Sequence, residues 1–346
     1  MSSRLPWHAA GRVAGALAGD YPLAASYHLP HLTAELVEAV GKASVAVEAD
    51  TGLVAGGSPE VVVVGRAEWA NRNLAAFSQL LEPVERRLAE RAETSRLGRG
   101  GAAFGRMMVA AETGALLAAL SRRVLGQYEL VLPASSEAVA FVGANVLALE
   151  RKHQLKASEF RYWIALHECT HRAQFLGVPW LRQHFLSLVA RMVETAPIAE
   201  SRWQHLWEKA QAARREGRPL IDERGLLGLF ATTEQRATLD EVQALMAVLE
   251  GHGHVVMNRI GERHLKTAAR MNRLLKMRRA DPRVATLWRL TGLEMKARQY
   301  ELGERFVGAV EGQAGWAALD VLWKSPDHLP TLEEVERPER WLARVA

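Results

Sequence analysis

His167-Glu168-Cys169-Thr170-His171 is an HExxH sequence inside a strongly helical stretch, and its reading decides how this chain of 346 residues is understood. Residues four apart lie above one another on a helix, so the imidazoles of His167 and His171 share a face and can grip one metal ion. Glu168 stands one step round from His167, where its carboxylate can lean over an open coordination position. A Zn²⁺ ion with two histidines and one further ligand keeps a place for water, and a neighbouring carboxylate can take that water's proton. The flanking residues support a helix over 158–176. Ser158 suits an N-cap and Glu159 puts negative charge in the first turn. Phe160, Ile164, His167, His171 and Phe175 follow at helical spacing, and Gly177 and Pro179 supply the stop. Cys169 lies between the histidines but is turned off their face, and reads as a small core residue.

The longer pattern HExxHxxGxxH would need glycine at position 174 and histidine at 177. Gln174 and Gly177 stand there instead, so the third ligand comes from elsewhere. The best source lies about 80 residues on, where apolar positions from Leu239 to Ile260 repeat at helical period. Glu250-Gly251-His252-Gly253-His254 is set into that stripe. Glu250 ranks first as ligand, because a carboxylate beside an apolar stripe needs a partner. His254, four residues on and on the same face, comes next as a rival ligand or an orienting partner, and His252 third. Gly251 and Gly253 are poor mid-helix residues, which fits close approach to another element.

The run from Trp163 to Phe175, with Val178-Pro179-Trp180-Leu181-Arg182, resembles the zincin-like metallopeptidase type 2 family, a group also labelled as hydrolases or as coenzyme F420 biosynthesis-associated proteins. The likeness continues through Asn145 to Lys152, Leu249 to Gly253 with Val256-Met257, and Arg278-Arg279. Lys296, Gln299-Tyr300, Gly303, Phe306-Val307, Leu329-Pro330-Thr331 and Trp341-Leu342 complete it, from about residue 35 onward. The resemblance implies that His167 and His171 are ligands, Glu168 the catalytic base and Glu250 the third ligand. It also implies a mainly α, α+β zincin-like fold. A small sheet would lie over the HExxH helix within residues 1–180, and a helical lower lobe, 181–346, would supply the third ligand. The chain departs from the family at His254 and Asn258, where acidic residues commonly follow. No flavin-like binding motif accompanies the F420 label.

Nearly half the residues are apolar, which marks a folded protein, and 346 residues can bury one large core or two lobes. The single cysteine excludes an intrachain disulfide and fits a reducing compartment. The N-terminus lacks an unbroken apolar core of a signal segment. The apolar run over 107–120 is interrupted by Glu112 and reads as a buried helix too short to span a membrane. These features predict a cytoplasmic protein with no membrane partner. Net charge is +5, with nine Lys and Arg between Arg259 and Arg283. Their spacing is that of a solvated helix face opposite Leu265, Met271, Leu274 and Leu275, and no aromatic residues interleave to stack bases, so nucleic acid is not an expected partner.

Periodicity predicts further helices over 31–48, 66–92, 104–125 and 180–194, with a break or kink at Pro83. Strands are expected at 60–64, 129–132 and 138–142. Residues 95–101 and 212–218 read as polar loops. The expected activity is zinc-dependent hydrolysis of a peptide or small amide, with Tyr300 as donor to the oxyanion and Lys296 four residues earlier on the same face. Two other readings stand beside it: a catalytically silent scaffold with a structural metal closed by a fourth ligand such as His254, and a small-amide hydrolase of cofactor metabolism.

Overall fold

The fold is that of a computed structural model, which describes residues 5–19, 21, 23, 26–80, 82, 85, 98–129, 138–194, 233–279 and 294–346. It is mainly helical with one three-stranded sheet, the expected α+β class. The polar stretch 212–218 and most of the predicted helix beyond residue 80 lie outside the described residues. The chain divides into two compact units, Met1–Gly177 and Val178–Ala346.

In the first unit, α1 (Trp7–Ala18), α3 (Arg66–Leu80) and α4 (Gly98–Ser121) pack together around Ala10, Ala14, Trp69, Leu74, Ala110 and Leu117. Small residues set the closeness of α1 and α4. A Cβ on Gly114 would fall 2.3 Å from the carbonyl oxygen of Ala10. Two expectations for α4 are corrected. The helix starts at Gly98, inside the stretch read as a loop, and its apolar window runs over Ala103–Ser121, long and apolar enough by length and composition to cross a membrane. Nor is this helix wholly buried: Ala110, Gly114 and Leu117 face inward, while Phe104, Met107, Met108 and Val109 are exposed. Glycine and arginine at its start disguise the first turns as loop, and the alternation of small and large apolar residues hides which side packs.

Two strands fall where the valine run and the apolar stretch before Gly143 place them, β1 (Glu60–Val64) and β3 (Ala138–Val142). They pair in parallel, Val62 opposite Ala140, and β3 is buried along its whole length. The second strand, β2 (Gly126–Tyr128), pairs antiparallel with β3 at the other edge. It was not expected as a strand; of the predicted 129–132, Glu129 follows β2 outside the strand, and residues 130–132 lie outside the described residues.

From β3 the chain turns directly into α5 (Gly143–His153) and then α6 (Ala157–Gly177), the HExxH helix. Asn145 stitches this corner: its amide donates to the carbonyls of Ser121 and Val124 at 2.7 and 2.6 Å, and its oxygen accepts from Arg66 Nε at 2.8 Å. α6 packs along α2 (His28–Thr51) and against β2 and β3. Arg161 fixes it in place. Its guanidinium holds the Glu150 carboxylate in a bidentate pair, 2.7 Å on each side, and reaches Glu35 on α2 at 2.6 Å. Burial works against this cation, but the two carboxylates outweigh it and raise its pKa. At the other end Arg172 Nη2 donates to the carbonyl of Gly56 at 2.6 Å. Gly56 and Gly57 both have positive φ, the left-handed region that glycine enters most readily.

The second unit has no strand among its described residues. Its core is the crossing of α8 (Thr233–His264) with α10 (Glu294–Ala314), and α7 (Leu181–Glu194) also packs on α8. Val248, Phe306, Val310, Leu322 and Trp341 fill the core. α11 (Leu332–Glu336) is closed by a capping box between Thr331 and Glu334, and α12 (Pro338–Val345) buries Trp341, whose indole donates to the His328 carbonyl at 2.8 Å. The basic stretch continues through Lys266 into α9 (Ala268–Arg279); Lys266, Arg270, Arg273 and Lys276 are exposed and Met271 is buried.

Candidate metal site

Helix α6 brings His167 and His171 together as the four-residue spacing predicts. Their Nε2 atoms are 3.2 Å apart and the rings meet edge to face. His171 is oriented from within its own helix: Nδ1 lies 2.9 Å from the amide oxygen of Gln174, one turn on. An amide oxygen only accepts, so Nδ1 carries the ring proton and Nε2 keeps its lone pair. This is the arrangement in which a neutral histidine ligates a metal while its other nitrogen is held by an outer partner. Two nitrogens at zinc-ligand distance around a tetrahedral ion stand about 3.3 Å apart, so the pair is spaced for one cation. Gln174 is completely buried and was read from sequence only as the residue that is not glycine. Its position three after His171 was the available signal.

Glu168 is buried and turned toward the sheet. Its Oε2 accepts a hydrogen bond from the backbone N–H of Tyr128 at 3.1 Å. Next to it on the strand is Gly126, where an added Cβ would lie 2.7 Å from Glu168 Cγ and 2.8 Å from Oε1. Neither partner was foreseen, because the contact joins residues 40 apart in sequence.

Cys169 is the core residue expected. Its thiol lies 3.5 Å from Ser44 Oγ and 3.6 Å from the Val40 carbonyl of α2, away from the histidines. Burial pushes its pKa up to about 12, so it stays a thiol. Cys169→Ala is therefore expected to leave metal content at the parent's level, and Cys169 to resist dithionitrobenzoate until the chain unfolds. Metal analysis and thiol titration with and without denaturant check both.

In the second unit Glu250, His252 and His254 lie on α8, all buried. His252 is engaged in packing: it stacks on Trp316 with centroids 5.6 Å apart and meets the edge of Trp323 at 5.2 Å. His254 Nε2 lies 3.5 Å from the Glu304 carboxylate on α10. Gly251 marks the close approach that its weak helix propensity suggested, since a Cβ there would come within 2.2 Å of Gly303 on α10. Tyr300 and Lys296 fall in the first turns of α10, but their side chains lie outside the described residues.

The sequence pattern of the zincin-like metallopeptidase family matches residues 5–342. A protein from Chloroflexus aurantiacus, whose crystal structure is described as that of a candidate hydrolase with a novel fold, is similar over 99% of this chain and 98% of its own, at 27% identity and a TM-score of 0.73. No curated protein matches. With an HExxH pair on α6, a small sheet against that helix and a family match over nearly its whole length, the chain belongs to the zincin-like metallopeptidase family.

Proposed function

We propose that the protein is a zinc-dependent hydrolase acting on a peptide or amide bond, with the metal held by His167, His171 and Glu250. The observation that carries this reading is the histidine pair: two Nε2 atoms 3.2 Å apart, one with its tautomer fixed by Gln174. Two imidazoles and one carboxylate are the donor set of catalytic zinc sites, which keep a position for water. A zinc ion there would supply Lewis-acid chemistry, making water more acidic and polarising the scissile carbonyl.

The chain's own groups do the rest. Glu168 takes a proton from the attacking water and delivers it to the leaving amine, so one carboxylate serves as base and then as acid. Tyr128 N–H holds the outer oxygen of that carboxylate. Tyr300 is proposed as donor to the oxyanion, on its place in the sequence.

The test is metal analysis of the purified protein with a chelation series. About one zinc per chain is expected, and dipicolinate should remove zinc and hydrolysis of a fluorogenic peptide library together, both returning when zinc is restored. His167→Ala and His171→Ala should each carry less than about a tenth of the parent's zinc, since either leaves the ion two protein ligands at most. Parent protein without stoichiometric metal defeats the proposal. Stoichiometric zinc with no cleavage of any peptide or small amide favours the silent scaffold instead.

A further inference from the structure

Gly126 is expensive where it stands. Glycine weakens a strand, through the freedom it loses on folding and the side chain it does not pack. Its backbone does not require it, for its φ lies outside the left-handed region where glycine is favoured. Space is what remains. On the face of β2 that carries residues 126 and 128, Tyr128 stacks on Phe175 of α6 with ring centroids 6.3 Å apart, and the site of a Cβ on Gly126 is taken by Glu168. That Cβ would stand 2.7, 2.8 and 2.9 Å from Cγ, Oε1 and Cδ, closer than real Cβ atoms approach anything.

The strand's hydrogen bonding points the same way. Val142 N–H donates to the Leu125 carbonyl at 2.9 Å and Glu129 N–H to the Ala138 carbonyl at 3.1 Å, bracketing the pair Gln127–Ala140. Odd-numbered residues of β2 therefore bond to β3, and the N–H of Gly126 and Tyr128 point off the sheet. Tyr128 N–H meets Glu168 Oε2 there. The carboxylate is held by a donor on one oxygen and by backbone where a side chain would otherwise press on its stem and its other oxygen.

We propose that Gly126 is a positioning residue: the glycine of β2 forms the socket that fixes the Glu168 carboxylate, and any side chain at 126 unseats it. The proposal rests on reading Glu168 as the proton acceptor, but its first test does not depend on chemistry.

That test is a double-variant cycle followed by thermal unfolding. Gly126→Ala should lower the midpoint by roughly 2–6 °C, the usual range for a methyl forced into a filled site. Glu168→Ala in the same chain removes the atoms the methyl meets, so adding Gly126→Ala to Glu168→Ala should change the midpoint by under about 1 °C. A loss of the same size with and without the Glu168 side chain overturns the socket, and so does a double variant as unfolded as the single one.

The second arm separates positioning from packing. Zinc content of Gly126→Ala should match the parent's, because the atoms nearest the added methyl belong to Glu168 and not to either histidine. On a library peptide that the parent cleaves, kcat should fall roughly tenfold or more with KM within about twofold, as a small misplacement of a reacting group produces. A folded, zinc-loaded Gly126→Ala with the parent's kcat overturns the positioning role. If the parent cleaves nothing, the hydrolase reading fails while the stability cycle still decides the socket.

Discussion

Glu168→Gln is expected to keep its zinc and lose hydrolysis. Glutamine preserves the size of the side chain and its oxygen can still accept from Tyr128 N–H, so the seat against β2 is retained. What disappears is a group able to take a proton from water and hand it to the leaving amine. General acid–base catalysis by one positioned side chain contributes about 10²–10⁴-fold, or about 2.7–5.5 kcal/mol of barrier. The fall should appear in kcat and kcat/KM together, because the proton moves only in the transition state. Metal analysis of the same preparation should still find about one zinc per chain. Hydrolysis at the parent's rate would remove Glu168 from its role and leave the metal site standing; loss of zinc would instead place Glu168 among the ligands.

The HExxH helix was legible almost to its ends, because everything that defines it is local. Glu159 marks its first turn and Gly177 and Pro179 its end, while Ser158 lies inside the helix rather than capping it, and the helix is buried nearly all round with His167 and His171 at half-buried positions. Expected over 158–176, it runs over Ala157–Gly177. The valine run of β1 was as readable, since an edge strand paired with one neighbour needs little more than β-branched residues. β2 was not anticipated because its identity is tertiary. Gly126 and Gln127 carry no strand signal, and a search by propensity slides onward to Leu130, Val131 and Leu132. The glycine that hid the strand is the residue whose absent side chain makes room for Glu168. Gln174 escaped for a related reason: compared against a pattern that wanted glycine, it registered as a mismatch, although three residues past His171 it sits where a side chain on the same helix can reach the ring. The site's metal chemistry is written in residue spacing, while the devices that orient its groups are written in what fits beside them.

Gly303→Ala should be among the most damaging single-methyl changes in the second unit. A Cβ on Gly303 would stand 1.8 Å from the Ala247 carbonyl oxygen and 3.0 Å from Gly251 Cα, and one on Gly251 would stand 2.2 Å from the Gly303 carbonyl carbon. Both obstacles are backbone, which cannot rotate away as a side chain can, so α8 and α10 must separate. Overpacking costs about 1–3 kcal/mol where neighbours yield. Here the loss should reach at least the top of that range, about 3 kcal/mol, lowering the midpoint by roughly 6–12 °C. Gly308 and Gly312 on the same helix have nothing within 4 Å of an added Cβ, so alanine there should be neutral or stabilise by about 0.5–1 kcal/mol through better helix propensity. The contrast within one helix isolates the crossing from propensity. It also reaches the proposed chemistry, because Gly251 adjoins Glu250 and a displaced α8 carries that carboxylate with it; zinc affinity of a folded Gly303→Ala should therefore fall while that of Gly308→Ala holds. Equal midpoints for the two variants in calorimetry would mean that the helices do not meet at these glycines.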